Sequence, residues 1–222
     1  LVPNKSGGND MTHIWQTRFQ HTCWVLVWLI GAAAPAQAQD SIENTASTAF
    51  AKMPLVRVVQ TISGACGADQ SVSTTVAYCT SANEILLAAN QIGLPQMPYL
   101  VAHAYGHAVQ VQHGVADVAL REITARRAQE VALRGLVDRQ VDCIAGFLYD
   151  LAGFAPASLT QWFTDDPFAS VHWGRNPLHA GPVMPVPLAD RDIWFRRGQG
   201  GDLANCGVGE FGSDLLIAAY RG

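Results

Sequence analysis

The chain has 222 residues, 49% of them hydrophobic and only 14% charged, with 14 basic against 18 acidic residues and a net charge of −4. That length suits one core of ordinary size, or two small ones. With no basic surplus and no Lys or Arg run, nucleic acid is not an expected partner, and six Trp, eight Phe and five Tyr exclude a disordered chain.

The first methionine is Met11, and the polar stretch LVPNKSGGND at 1–10 reads as sequence upstream of the natural start or an expression remnant. Residues 11–38 have the pattern of a signal peptide: Arg18 without a nearby acid, an apolar run from Cys23 to Ala34, then Pro35 and the small-residue site Ala36-Gln37-Ala38. The run falls well short of the about 20 residues that a bilayer core requires. An uncleaved anchor and a buried helix are weaker readings of it. Cleavage after Ala38 predicts a secreted or periplasmic chain with no stable membrane span. Residues 39–60 turn from polar to apolar and read as a loosely held arm, and 61–222 as a single domain.

Without Cys23, four cysteines remain: Cys66, Cys79, Cys143 and Cys206. An even count in an exported chain predicts two disulfides. Spacing favours Cys66–Cys79, closing a short loop, and Cys143–Cys206, tying a central helix to the C-terminal segment. A thiolate metal site would need close pairs such as CxxC, and there are none.

Residues 61–82 carry the β-prone run Ser73–Tyr78 and are followed by EILLAAN at 84–90. A short strand pair and a strand leading into a helix both fit this pattern. From Pro98 to Gly114 the largely apolar PYLVAHAYGHAVQVQHG predicts a helix, with Pro near its start and Gly at its end. A second helical region is predicted over 121–153, with Gly135 as a possible break. Its buried stripe would comprise Ala128, Val131, Ala132, Leu136, Val141, Ile144, Ala145 and Leu148. Residues 165–188 hold Pro167, Pro177, Pro182, Pro185 and Pro187, which excludes regular helix and suggests an ordered loop bordering a cleft. A short helix over 190–198 and a last apolar segment, Leu215 to Tyr220, complete a fold class of α+β, mainly helical.

The chemistry concentrates on two helices. His103 and His107 stand at i and i+4, one turn apart on one face, at a distance a single Zn²⁺ can bridge; taken alone, the spacing equally fits a pair of polar or core-edge histidines. Asp138 and Asp142 repeat that spacing downstream. Asp138 would supply a third, oxygen ligand, and Asp142 would accept the free N–H of a histidine and fix its tautomer. Three protein ligands with an open position describe a catalytic zinc site. The competing reading of the acids is a solvated helix face beside Arg134 and Arg139, which fits Asp142 poorly between Val141 and Cys143.

HAYGHAVQ, then DRQVDCIAG some thirty residues on, then WFRRG and a late Cys, resemble the neutral zinc metallopeptidases of bacteria. That family carries HExxHxxQ, an ExQADCxAG-like segment and WFxxG followed by Cys. Cys66-Gly67 and Tyr78-Cys79 are similar to its upstream CG…YC segment. The resemblance runs from about Cys66 to Cys206. It implies a zincin-like core, zinc held by His103 and His107, Asp138 in place of the family Glu, and Asp142 as the family's QAD aspartate.

Two departures matter. The catalytic Glu of HExxH is Ala104, which has no carboxylate to take or deliver a proton. General acid–base catalysis is worth roughly 10²–10⁴ in rate, so activity should be lost or severely reduced. Asp138 is one methylene shorter than Glu but keeps the carboxylate. Tyr105 points about 100° further round the helix and is a poor substitute base. His113, His172 and His179 are unplaced, and His179 is the first candidate to test. Three readings follow: a zinc-binding pseudoenzyme that still takes a peptide or protein ligand, an active peptidase with a substitute base, and a metal-free, disulfide-braced interaction domain.

Overall fold

The structure is a computed structural model that describes residues 34–65, 74–168 and 186–222. By contact the chain divides into two units, Leu1–Ala33 and Ala34–Gly222, and every described residue belongs to the second. The leader read over 11–38 lies outside the described residues except for its last residues, 34–38. His172, His179, Cys66 and most of the Pro-rich loop lie outside them too. Among the described residues no helix is long and apolar enough to cross a membrane.

The described unit is α+β and mainly helical, in the order α1 (Ala34–Ala49), β1 (Leu55–Val59), β2 (Val76–Cys79), β3 (Glu84–Ala88), α2 (Met97–Gln112), α3 (Val115–Ala125), α4 (Glu130–Leu151), α5 (Leu188–Gly198) and α6 (Asp214–Ala219). The sheet has the order β1-β3-β2, with β3 parallel to β1 and antiparallel to β2. Of the two local readings of 74–90, the strand pair is the one formed. Its turn is permitted by Asn83, which adopts φ 50°, a conformation Asn tolerates better than most residues. Gln112 Nε2 donates to Tyr78 Oη and to Asn83 Oδ1 at 2.9 and 3.0 Å, tying this hairpin to the end of α2.

Alternation on β3 serves two cores. Ile85 and Leu87 join the main cluster with α1, α2 and α4, while Leu86 packs on the opposite face with Ile62 and Ala77. A smaller cluster joins Ala116, Ala119 and Ile123 of α3 to Leu133 and Val137 of α4. The α2–α3 connection turns at Gly114, whose φ of 79° no β-branched residue would accept. Helices α4 and α5 touch through reciprocal glycines: a Cβ on Gly146 would lie 1.9 Å from the carbonyl oxygen of Phe195, and one on Gly198 1.9 Å from that of Cys143. The Cys143–Cys206 disulfide forms as the spacing suggested, with Cα atoms 5.4 Å apart. The Cys66–Cys79 pairing involves a residue outside the described set.

Three expectations are corrected. The stretch 39–60 is not a loose arm. It holds the rest of α1, whose Ile42, Ala46 and Ala49 are buried with Phe50, and the edge strand β1. The helical region of 121–153 breaks at 126–129 rather than at Gly135, which sits inside α4. The stripe fails at its start, where Ala128, Val131 and Ala132 are exposed, Val131 to 51%. From Val141 to Tyr149 the helix is instead buried all round.

Candidate functional site

Helices α2 and α4 cross where Gly106 meets Val141. A Cβ on Gly106 would lie 2.9 Å from both the Val141 carbonyl oxygen and its Cγ1, so only glycine allows this approach. The crossing falls between His103 and His107 on one helix and between Asp138 and Asp142 on the other. The two local i, i+4 pairs are thereby brought face to face inside the protein. Asp138 is 4% exposed and Asp142 fully buried, so the solvated-face reading does not hold. Arg134 pairs with Glu130 and Arg139 with Asp190.

At the centre lies a residue the sequence reading passed over, Arg191 of α5, 1% exposed. Its guanidinium pairs with three carboxylates: Nη1 with Asp142 Oδ2 at 3.0 Å, Nη2 with Asp138 Oδ2 at 3.1 Å and Nε with Asp166 Oδ1 at 2.8 Å. A planar fork of donors suits Arg where Lys would reach fewer partners. Asp142 Oδ1 accepts from Tyr99 Oη at 2.9 Å and lies 2.9 Å from His103 Nδ1. Phe168 stacks on the His103 ring at 3.9 Å and 15°, and the ring of His107 stands edge-on to it at 5.0 Å.

The protonation states follow from these surroundings. Burial, helped by the Arg191 cation, lowers His103 to about 3. Burial and the neighbouring His103 likewise lower His107 to about 3. Both imidazoles are neutral near pH 7, and the Asp138 charge opposes the shift in each. Burial raises Asp142 to about 6 against the pull of Arg191 and Tyr99, leaving it ionised at neutral pH. Burial beside Asp142 pushes Tyr99 well above the usual phenol range, so its hydroxyl stays a donor. An ionised carboxylate only accepts. His103 Nδ1 must therefore carry the proton, and its Nε2 presents the lone pair. His107 Nδ1 is buried and finds no hydrogen-bond partner among the described residues.

His103, Asp138 and Asp142 lie in one buried cluster that the half-buried His107 adjoins, with Asp142 Oδ1 2.9 Å from His103 Nδ1. Among the described residues, however, no three His, Cys, Asp or Glu side chains are gathered to hold a metal ion; the Oδ2 of Asp138 faces Arg191. Ala104 is buried at 2% exposure. Tyr105 points away, donating to the Pro54 carbonyl at 2.8 Å. His113 lies at the far end of α2 against Phe50, and His179 is outside the described residues.

Sequence reasoning missed Tyr99, Arg191, Asp166 and Phe168. It also missed the pair Gln110 and Gln140, which bond each other at 3.0 Å and carry the polar seam beside the cluster to the carbonyls of Val137 and Cys206. Tyr99 had a signal, one turn before His103 on the same face. The two glutamines stand inside the quoted motifs.

No family model matches the chain, and no curated protein and no solved structure matches it either. What the fold and site define is an α+β unit in which two neutral histidines of α2 face two aspartates of α4 around a buried arginine.

Proposed function

We propose that the chain is an exported zinc-binding protein of metallopeptidase type, with peptidase activity lost or strongly reduced because Ala104 stands where the general base belongs. The observation that carries this reading is the 2.9 Å contact of His103 Nδ1 with Asp142 Oδ1. It is the carboxylate–histidine arrangement that orients metal-binding imidazoles, and it leaves Nε2 as the free lone pair one helical turn from His107. The unpartnered Nδ1 of His107 is a second sign of a group that the described protein atoms do not satisfy.

His103 and His107 would hold the ion, with Asp138 as the oxygen ligand and Asp142 behind His103; zinc bound there would supply Lewis acidity. The donor chemistry fits. Three carboxylates against one guanidinium leave the cluster an excess of negative charge, which a divalent cation would offset. Ala104 contributes only a methyl group, so this chain would bind a peptide or protein ligand without an efficient proton carrier.

A second reading, a metal-free braced domain, is favoured by Arg191, which already pairs with Asp138, Asp142 and Asp166. Metal analysis of the purified full chain separates the two. About one zinc per chain, lost in the His103→Ala/His107→Ala variant, is expected for a three-ligand site. Less than about a tenth of a zinc per chain overturns the reading, because a formed site retains its metal. Peptide cleavage by wild type beside Ala104→Glu tests the missing base. Silence in wild type and chelator-sensitive turnover in the variant is the expected pair. Robust turnover in wild type would instead establish an active enzyme with a substitute base.

A further inference from the structure

Arg191 grips His103 from two directions. Along the ring edge, its Nη1 donates to Asp142 Oδ2 at 3.0 Å, and the other oxygen of that carboxylate accepts from His103 Nδ1–H at an N···O distance of 2.9 Å. Across the ring face, its Nε donates to Asp166 Oδ1 at 2.8 Å, and that same oxygen accepts the Phe168 backbone N–H at 3.0 Å. Phe168 then lies flat on His103 at 3.9 Å, with the guanidinium carbon 5.2 Å from the Phe168 centroid. An imidazole held at one edge alone can tilt; one held at edge and face cannot. Tyr99, the remaining donor to Asp142 Oδ1, is neutral and bonds one oxygen only. It cannot fix the carboxylate plane as a second bond to the other oxygen does.

We propose that Arg191 is the positioning residue of His103: through Asp142 and through the Asp166–Phe168 strap it fixes both the tautomer of the imidazole and the direction of its Nε2 lone pair. The functional meaning of this arrangement rests on the metal-binding reading above, but the tautomer itself does not. It can be read in the metal-free protein.

The test uses the full chain with ¹⁵N-labelled histidine, without metal at pH 7, in wild type, Arg191→Met and Arg191→Lys. Long-range ¹H–¹⁵N correlation reports which ring nitrogen is protonated. Wild type is expected to show His103 as a single Nδ1–H tautomer, Arg191→Met a mixture, and Arg191→Lys a return towards the single form, because a cation again faces Asp142. Zinc affinity, measured by chelator competition on the same samples, is expected to fall about 10–100-fold in Arg191→Met and to recover largely in Arg191→Lys.

If Arg191→Met does not fold, Arg191→Met/Asp166→Asn removes one positive and one negative charge together, keeps the net charge of the cluster, and is read in the same way. A folded variant with an unchanged tautomer and unchanged zinc affinity overturns the proposal. If wild type takes no zinc while the tautomer still depends on Arg191, the positioning role stands and the metal reading falls. Tight zinc binding with both the tautomer and the affinity indifferent to Arg191 gives the reverse.

Discussion

Asp142 accepts bonds from Tyr99, His103 and Arg191 while fully buried. A carboxylate in that position is tolerated only while its partners stay in place, since a buried charge left short of partners bears its full desolvation cost. Tyr99→Phe removes one bond and nothing else, because the ring keeps its edge contact with Phe195 at 5.1 Å. Stability should fall by about 1.5–3 kcal/mol, the range for a bond to a charged group, seen as a lower urea midpoint with an unchanged slope. An unchanged midpoint would mean that Tyr99 does not bond the carboxylate. Half of this cluster was legible in the sequence. The His103/His107 and Asp138/Asp142 pairs declare themselves through i, i+4 spacing, a local property. Arg191 meets Asp142 across 49 residues of sequence and Asp166 across 25. No local period encodes such a pairing, and an Arg between two Asp in DRDIWF reads as surface until the fold buries it.

At the level of elements, the contact between α4 and α5 sets where Arg191 can reach. The reciprocal close approach at Gly146 and Gly198 is backbone against backbone, so an added methyl cannot be relieved by turning a side chain. Gly146→Ala must push α5 outward and drag Arg191 from its carboxylates. Helix propensity alone would favour that substitution by about 1 kcal/mol. The steric effect opposes it and dominates. A net loss of about 3 kcal/mol or more is expected, beyond ordinary overpacking because backbone is the obstacle, measured by urea unfolding. Any gain in stability would show that the helices are not in this contact. Here the sequence was a fair guide to existence and a poor one to boundaries. Helices α2, α4 and α5 were visible from period and flanking Gly or Pro. Gly135 reads as a candidate break because glycine disfavours helix, yet a single glycine costs too little to end a helix packed over its later turns. The true break at 126–129 carries no Gly or Pro at all. Likewise the start of 39–60 reads as an arm because the apolar residues of α1 are mostly alanines, and only packing distinguishes a small buried side chain from a small exposed one.

Across the whole molecule, the cluster couples stability to pH. His103 and His107 titrate near 6.5 when unfolded and at about 3 when folded, because burial disfavours their charged forms. A depressed folded pKa gives stability that is present above the unfolded value and lost as pH falls towards the folded one. Asp142 has the opposite sense. Burial raises it from 3.8 to about 6, so its contribution is full at low pH and lost as pH rises through that range. Between about pH 4 and 6 the unfolded chain binds two histidine protons that the folded one lacks, and the folded chain binds one carboxyl proton more. One proton remains in favour of the unfolded state. Of the other shifted groups, His113 is lowered by burial and adds to the histidine side, while Glu43 is raised by burial and adds to the carboxyl side, so the two act in opposite senses. The stability of the chain in EDTA should therefore rise by about 1.4 kcal/mol per pH unit across that window and level off above about pH 7. Urea midpoints from pH 4 to 8 measure it. His103→Gln should flatten the rise, because the two remaining terms, His107 and Asp142, then cancel. A slope that stays steep in that variant would mean His103 is not buried as a neutral imidazole, and the lone pair assigned to its Nε2 would go with it.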